Sequence, residues 1–367
     1  MPSNTAFVIA DSPVDGKWAT TASIPYPSTA TDDQLIVKTL AYAANPTDWK
    51  HVDTKQGSPG DTTGTDAAGI VEEVGKNVTG FKKGDVVSVF AHGNYNKTRG
   101  CFAHYIIADP STTIKYDIQL KESLPVGEYR SGPIDSFAGA ASVTLGLSTT
   151  VLSFASNLNI KDEDKGKYIL IWGGATATGI LAIQIAKKGF GLKVATTASK
   201  KHHDYLKSLG ADFVVDYNDS DAVEQIKKAT GSDIRYGLDT VSKPHTWQSL
   251  YDATANSPKV TLDNLVLLSA DKYKADGRSG EVIVAPATIA YVANGDRVKV
   301  FGGEFDITPE AFDRYKKFWF EKLPTVIKDI SHAKLKVLAP GFESANEAWS
   351  LLKHGKVSGE KVVFHKK

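Results

Sequence analysis

The sequence predicts an α/β protein: a doubly wound parallel sheet set into a strand-rich domain that both ends of the chain build together. Three observations carry this. Residues 167–179, KYILIWGGATATG, run a short apolar strand into a glycine-rich turn that opens an apolar helix. Beyond it, strand-like runs alternate with helical stretches, the pattern of a parallel sheet. The tail then returns to short strands resembling those of the first segment.

Taken in order, the segment up to about residue 153 carries β-prone runs at 8–9, 35–37, 69–74, 86–90 and 105–107, broken by Gly, Pro, Asp and Asn. Phrases such as VGKNVTGFKKGDVV read as turns between antiparallel strands. The middle of the chain changes period, with strands expected at 168–172, 193–197, 213–215, 236–239 and 265–268, and a last one at 297–301 closing the same sheet. Thr308-Pro309 is a helix start signal, and an amphipathic helix follows over 309–328. Strands at 335–338 and 361–364 flank a helix at 344–353. The expected division is 1–153 with 309–367 as one discontinuous domain, and 154–308 as the parallel-sheet domain.

A glycine turn between strand and helix brings bare backbone N–H groups, and the positive end of a helix dipole, up to an anionic phosphate. The template G-x-G-x-x-G asks for glycine at 176, and this chain has Thr176 between Gly174 and Gly179. The context is that of a βαβ dinucleotide unit: a strand before, a helix with Ile180, Leu181, Ile183, Ile185 and Ala186 after, then a second strand. Gly173, Gly174, Ala175, Thr176, Ala177, Thr178 and Gly179 are therefore the expected phosphate contacts. An NAD site normally places an acid at the end of that second strand to hold the ribose 2′-OH. Here the chain reads Thr196-Thr197-Ala198-Ser199-Lys200-Lys201-His202, with no acid. Ser199, Lys200 and His202 suit a 2′-phosphate by charge-assisted hydrogen bonding, so NADPH is the expected cofactor. The same basic run could equally open a solvated helix. Tyr217 is placed either to stack beside the adenosine or to pack against the protein.

Four further clusters stand out. Asn45-Pro46-Thr47-Asp48-Trp49-Lys50 crowds polar groups into one short segment, and its Asn-Pro step favours extended backbone before a turn. In Gly64-Thr65-Asp66-Ala67-Ala68-Gly69 the glycines permit close approach, and Asp66 reads as a loop tie. His104, in GCFAHY, reads as structural before chemical. Thr149, in Leu147-Ser148-Thr149-Thr150, could reach a phosphate, ribose or nicotinamide.

Bulk composition narrows the classes. The 367 residues suggest two domains, and 41% apolar with 23% charged residues is ordinary for a globular protein. Lys+Arg at 43 against Asp+Glu at 42 leaves no field to recruit nucleic acid or an anionic membrane. No apolar run reaches the ~20 residues of a spanning helix. The start, MPSNTAFVIADSPVDGKW, lacks a basic n-region and an apolar h-region, so a cytoplasmic protein is expected. One cysteine, Cys101, excludes an internal disulfide and the Cys-rich zinc sites. There is no H-E-x-x-H, C-x-x-C, Walker loop or G-x-S-x-G elbow, and no Tyr is followed four residues later by Lys.

In this order, NPTDWK, GTDAAG, GCFAHY, GGATATG, GADFVVDY, GLDTV and the closing GKVSGEKVV resemble the medium-chain dehydrogenase/reductase superfamily over nearly the whole chain. The likeness is to its zinc-free quinone oxidoreductases and enoyl reductases, and within these to fungal trans-acting enoyl reductases and yeast zeta-crystallin-like reductases. Zinc-dependent relatives carry a Gly-His-Glu phrase where this chain has Gly64-Thr65-Asp66, so no metal is expected. The resemblance implies a Rossmann domain wrapped by a GroES-like β-rich domain, with substrate in the cleft between them. It implies an NADPH-dependent reductase acting on the C=C of an α,β-unsaturated carbonyl or on a quinone. The alternatives are an aldehyde reductase and, in another class, a non-catalytic NADPH-binding protein. Expected partners are a small enone, quinone or aldehyde, with no nucleic acid or membrane, in a monomer or homodimer. Lys50 is the candidate for meeting the developing enolate or delivering a proton, with Asn45 and Thr149 orienting substrate and nicotinamide. The expected cofactor set is completed by Asp239, Val266, Leu267, Leu268 and Lys361. The polar insert at 270–281 reads as a surface loop, either a lid or without function.

Overall fold

The structure, a computed structural model, describes residues 3–28, 32–276 and 278–367. Its chain separates into two units, Met1–Ser148 with Tyr291–Asp306 and Ser331–Lys367, and Thr149–Ala290 with Ile307–Ile330.

In the first unit an eight-stranded mixed sheet is organised around the strand Leu35–Ala43. Seven of its nine residues are buried, as expected of a β-branched and aliphatic run with neighbours on both edges. It pairs antiparallel with Asp66–Val74 and Tyr105–Ala108, and also with the last strand of the chain, Glu360–His365, through Val363 opposite Ala43 and His365 opposite Ala41. Val362, Val363 and Phe364 are fully buried, so the C-terminal strand is an interior one. Above the sheet Phe7, Trp18, Tyr42, Phe102 and Trp349 form an aromatic core, with Phe102 stacked on Trp349 at 6.0 Å and 13°. Large aromatics of this kind dominate the burial energy of a domain.

The second unit holds six parallel strands in the order Phe213–Val215, Lys193–Thr197, Tyr168–Trp172, Ile234–Asp239, Lys259–Asn264 and Glu281–Val284. This is the 3-2-1-4-5-6 order of a Rossmann sheet, in which the order reverses between the first and fourth strands. Ile169, Leu170 and Ile171 are fully buried, as a strand covered on both faces requires. The helix Ala177–Phe190 buries Ile180, Leu181, Ile183 and Ile185 and ends at Gly191 in the left-handed conformation, φ 67°. A glycine there avoids the Cβ clash that other residues would meet.

Four expectations change. The fifth strand is Lys259–Asn264, and residues 265–268 form the loop after it. The sixth is Glu281–Val284, whereas Val298–Val300 makes an antiparallel hairpin with Gly303–Phe305 in the first unit. The helical stretch from Pro309 belongs to the parallel-sheet unit, because Arg314 Nε donates to Ala155 O at 3.1 Å, Ser156 Oγ donates to Ala311 O at 2.7 Å, and Phe318 stacks on Phe190. Finally, Phe137–Asn157 is helical over 21 residues and apolar enough by length and composition to cross a membrane, yet 89% of its most apolar window is buried inside the protein. Its Ala, Gly, Ser and Thr residues hide that length from a scan for large apolar side chains.

The insert at 270–281 contains one 3-10 turn, Ala270–Lys272. It is tied down by Arg278, whose guanidinium donates to Tyr251 O and Thr254 Oγ1 and lies over the Tyr251 ring; Gly277 is outside the described residues.

At the end of the fifth strand Asp263 is 1% exposed. Its carboxylate accepts from Ser153 Oγ and Thr288 Oγ1, each at 2.6 Å, and from the Asn264 N–H. Burial pushes its pKa from 3.8 up to about 6, outweighing those hydrogen bonds. A carboxyl raised on folding stabilises the protonated protein, and that stability is lost as pH climbs from about 4 through about 6. Asp263→Asn, always neutral, should therefore gain on the wild type by about 3 kcal/mol between pH ~4 and ~7. Denaturant unfolding at the two pH values measures this, and a pH-independent difference would show that the carboxyl ionises normally.

Candidate functional site

The glycine turn sits where the sheet order reverses, at the carboxyl end of the first strand. Thr176 explains how the chain does without glycine there. It is the N-cap of the helix, its Oγ1 accepting the Gly179 N–H at 2.9 Å. The same hydroxyl donates to Thr240 Oγ1 at 2.9 Å, and Thr240 Oγ1 lies 2.9 Å from the carbonyl oxygens of Trp172 and Gly173. The turns after the first and fourth strands are thus bolted together across the switch point. Gly173, at φ 87°, would as any other residue drive its Cβ to 2.5 Å from Val241, and a Cβ at Gly179 would meet Gly173 O at 2.4 Å. The N–H groups of Ala177 and Thr178 make no hydrogen bond among the described residues, and both residues are partly exposed. They are open first-turn donors, the kind of group that meets an anion at a helix N-terminus.

Of the other predicted residues of this unit, all but Thr149 lie at or just beyond the carboxyl ends of the parallel strands. Ser199 and Lys200 follow the second strand, with Lys200 exposed. His202 is buried, and Tyr217 is 50% exposed after the third strand. Asp239 ends the fourth strand fully buried, its carboxylate accepting from the Val241 and Ser242 N–H groups and Thr246 Oγ1. It therefore shapes the turn that leads into the helix Pro244–Ala253. Val266, Leu267 and Leu268 form a loop pinned by Asn264, with Leu267 at φ 66° and both Val266 and Leu267 exposed. Thr149 is buried on the helix Thr144–Val151.

In the first unit the Asn45-Pro46 step is extended, φ −128° and ψ 152°, and Pro46 opens the helix Pro46–Asp53. Behind that helix lies a closed polar network. Asn45 Nδ2 donates to Thr65 Oγ1 at 3.0 Å and to Asp66 Oδ2 at 2.8 Å. Thr65 Oγ1 donates to Asp48 Oδ1, while Asp48 Oδ2 accepts from the Asn45 N–H and, at 3.2 Å, from Trp349 Nε1. Asp66 Oδ1 accepts from the Leu145 N–H. The cation is Lys361, whose ammonium donates to Asn45 Oδ1 and, at 3.2 Å, to Asp66 Oδ2. Lys361 was expected among the cofactor contacts; the structure commits it to this network, 5% exposed. Asn45 likewise has both ends of its amide engaged. Burial raises both carboxyls, Asp48 to about 7, against the pull of Lys361.

Lys50 lies outside that network. It is exposed on the helix Pro46–Asp53, and its ammonium has no ion-pair or hydrogen-bond partner among the described residues, only the Trp49 ring at 5.8 Å. Enough protein surrounds it to lower its pKa by desolvation, yet its exposure keeps that shift from weighing on the fold.

Beside it is a cluster the sequence did not announce. Thr47 Oγ1 meets Tyr291 OH and, at 3.0 Å, His51 Nε2, and His92 is sandwiched between Tyr291 at 3.8 Å and Tyr95 at 4.3 Å. Burial lowers both imidazoles, His51 to about 4, so the cluster is uncharged at neutral pH. The i, i+4 spacing of Thr47 and His51 was its one sequence signal. His104 packs at 5.4 Å from the Phe342 ring, with its pKa lowered to about 4 by desolvation.

Residues 31–118 match the family description "Alcohol dehydrogenase GroES-like domain", and residues 177–262 match "Zinc-binding dehydrogenase". A trans-enoyl reductase of Alternaria alternata, ACTTS2, is 31% identical over 352 residues, spanning 93% of this chain and 94% of its own. The chain belongs to the medium-chain dehydrogenase/reductase superfamily. An uncharacterised protein of Saccharomyces cerevisiae is 34% identical over 367 residues, 95% of each chain. In fold, the quinone oxidoreductase of Coxiella burnetii superposes with a TM-score of 0.64 at 23% identity, covering all of both chains. As an oxidoreductase of this superfamily the protein has relatives that bind a nicotinamide cofactor, and the open N–H donors at the switch point fit its phosphates. A zinc ion does not fit in the same way. Among the described residues no three His, Cys, Asp or Glu side chains converge, Cys101 is buried against Val89 O, and Thr65 and Asp66 are held by Asn45 and Lys361.

Proposed function

We propose that this dehydrogenase/reductase is a zinc-independent, NADPH-dependent reductase of the C=C bond of α,β-unsaturated carbonyl compounds or of quinones. The observation that carries this reading is Lys50, an exposed ammonium with no ion-pair or hydrogen-bond partner among the described residues, on the helix that begins at Asn45-Pro46. When bound, the nicotinamide supplies a hydride to the electrophilic carbon. Negative charge then develops on the carbonyl oxygen, and a preoriented cation is the group that stabilises it. Lys50 holds that charge or returns a proton to it, while the Asn45–Asp48–Lys361 network fixes the helix from which it projects. Ala177 and Thr178 N–H groups hold the pyrophosphate, Ser199 and Lys200 the 2′-phosphate, and Thr149 orients the nicotinamide. The trans-enoyl reductase named above supports the same substrate class.

The test is NADPH and NADH consumption against a panel of enones, quinones and aldehydes, with products identified by mass and NMR. A saturated carbonyl or hydroquinone made with NADPH is the expected product. An alcohol would make the protein an aldehyde reductase, and NADPH binding without turnover would make it a binding protein. For the cofactor site, the Ser199→Asp/Lys200→Ala double variant should bind NADPH about 10- to 100-fold more weakly with little effect on NADH, since charge-assisted hydrogen bonds are removed. Unchanged NADPH preference would remove these residues from the site.

A further inference from the structure

The loop after the second strand carries no acid of its own, but the structure brings one to it. The third strand, Phe213–Val215, runs parallel to Lys193–Thr197 with Val215 opposite Thr197, and the Ala198 N–H donates to Val215 O at 3.0 Å. The next residues, Ser199 and Asp216, therefore leave the sheet side by side. Asp216 Oδ2 accepts the Lys200 N–H at 3.1 Å, and Oδ1 accepts from the Asn218 N–H at 2.9 Å and Nδ2 at 2.8 Å. The carboxylate is thus locked against the Ser199–Lys200 turn. Those hydrogen bonds also hold its pKa below the usual carboxylate range, so it is charged throughout the neutral range.

We propose that Asp216 is a specificity-determining residue that restrains the chain's preference for NADPH over NADH. The inference rests on the reading of Ser199 and Lys200 as the 2′-phosphate contacts. Two effects act together. Asp216 occupies the Lys200 N–H, a donor that a phosphate would otherwise take. Its fixed negative charge also stands beside the place of a group carrying about two negative charges at neutral pH. An unphosphorylated ribose meets no such penalty, because a hydroxyl can donate to a carboxylate. Lys200 attracts the phosphate and Asp216 repels it, so the turn discriminates less than its basic residues alone would.

Asp216→Asn removes the charge at nearly constant shape, and Asp216→Ala removes the acceptors as well. Asp216 is partly exposed, so thermal melting of both variants should stay close to wild type. Dissociation constants for NADPH and NADH, measured by fluorescence titration on the full chain at about 50 and about 300 mM salt, provide the readout. NADPH should bind about three- to tenfold more tightly to both variants at low salt, with NADH unchanged or weaker. The NADPH dissociation constant should also rise more steeply with salt than in the wild type, a response that a purely structural role would not produce. Weaker or unchanged NADPH binding by Asp216→Asn, in a protein whose wild type prefers NADPH, would overturn the inference and make Asp216 a brace for the Lys200 turn. A wild type that binds NADH at least as tightly as NADPH would instead overturn the underlying reading, before any variant is compared.

Discussion

Lys50→Ala is expected to lower turnover about 10²- to 10³-fold, the usual effect of removing one group that stabilises a developing oxyanion. The structure makes this variant informative. Lys50 is exposed and has no ion pair among the described residues, so its loss should leave the melting temperature within a degree or two. Cofactor affinity should also hold, because the open phosphate donors belong to the helix Ala177–Phe190 of the other unit. The effect should fall on kcat more than on KM, since charge on the carbonyl oxygen develops only as hydride arrives. Lys50→Arg keeps the charge on a larger, planar head and should recover only part of the rate. Full turnover by Lys50→Ala would remove Lys50 from the chemistry and leave the substrate's own solvent shell to meet the charge.

The second large effect is on stability. Lys361→Met should destabilise the protein by about 3–5 kcal/mol, because breaking a buried ion pair on one side leaves an uncompensated charge. Asp66 is fully buried and Asp48 stands in the same network, so Lys361 is the cation that both carboxyls face. For a chain of this size the loss amounts to about 4–6 °C in melting temperature. Adding Asp66→Asn to Lys361→Met removes the stranded charge and should recover part of the stability, a coupling that a double-mutant cycle reads directly. If the two changes simply add, the ammonium contributes packing alone. Because the network supports the helix that carries Lys50, Lys361→Met should also depress turnover, whereas Lys50→Ala should not depress stability.

Much of the fold was legible residue by residue. The strand Tyr168–Trp172, the helix opening at the glycine turn and the strand Lys193–Thr197 lie where the apolar periods and the glycines place them. The C-terminal strand was readable as well, and the structure supplies its partner, Leu35–Ala43. The errors have a common cause. Leu265–Leu268 is apolar enough for a strand, yet the backbone there follows Asn264, whose side chain gathers the loop around itself. Residues 298–300 alternate like a sheet strand but find their partner in the hairpin strand Gly303–Phe305. Local pattern states that a strand forms and is silent on which strand it joins.

The candidate site divides along the same line. By itself the sequence determined the phosphate turn, the run Ser199-Lys200 and the polar segment from Asn45 to Lys50, because each is a local pattern of residue types with chemistry at fixed spacing. Tertiary structure decided what those groups are free to do. It closed Asn45, Asp48, Thr65, Asp66 and Lys361 into one buried network and left Lys50 outside it. It set Tyr291 against Thr47 and His51 across more than two hundred residues, and brought Asp216 to the backbone of Lys200. Hydrogen bonds and charges act over a few ångströms in space, whereas their partners here are separated by 16 to 316 positions along the chain. Only the packed fold, by fixing which distant groups touch, determines which of the readable residues remains available to a ligand.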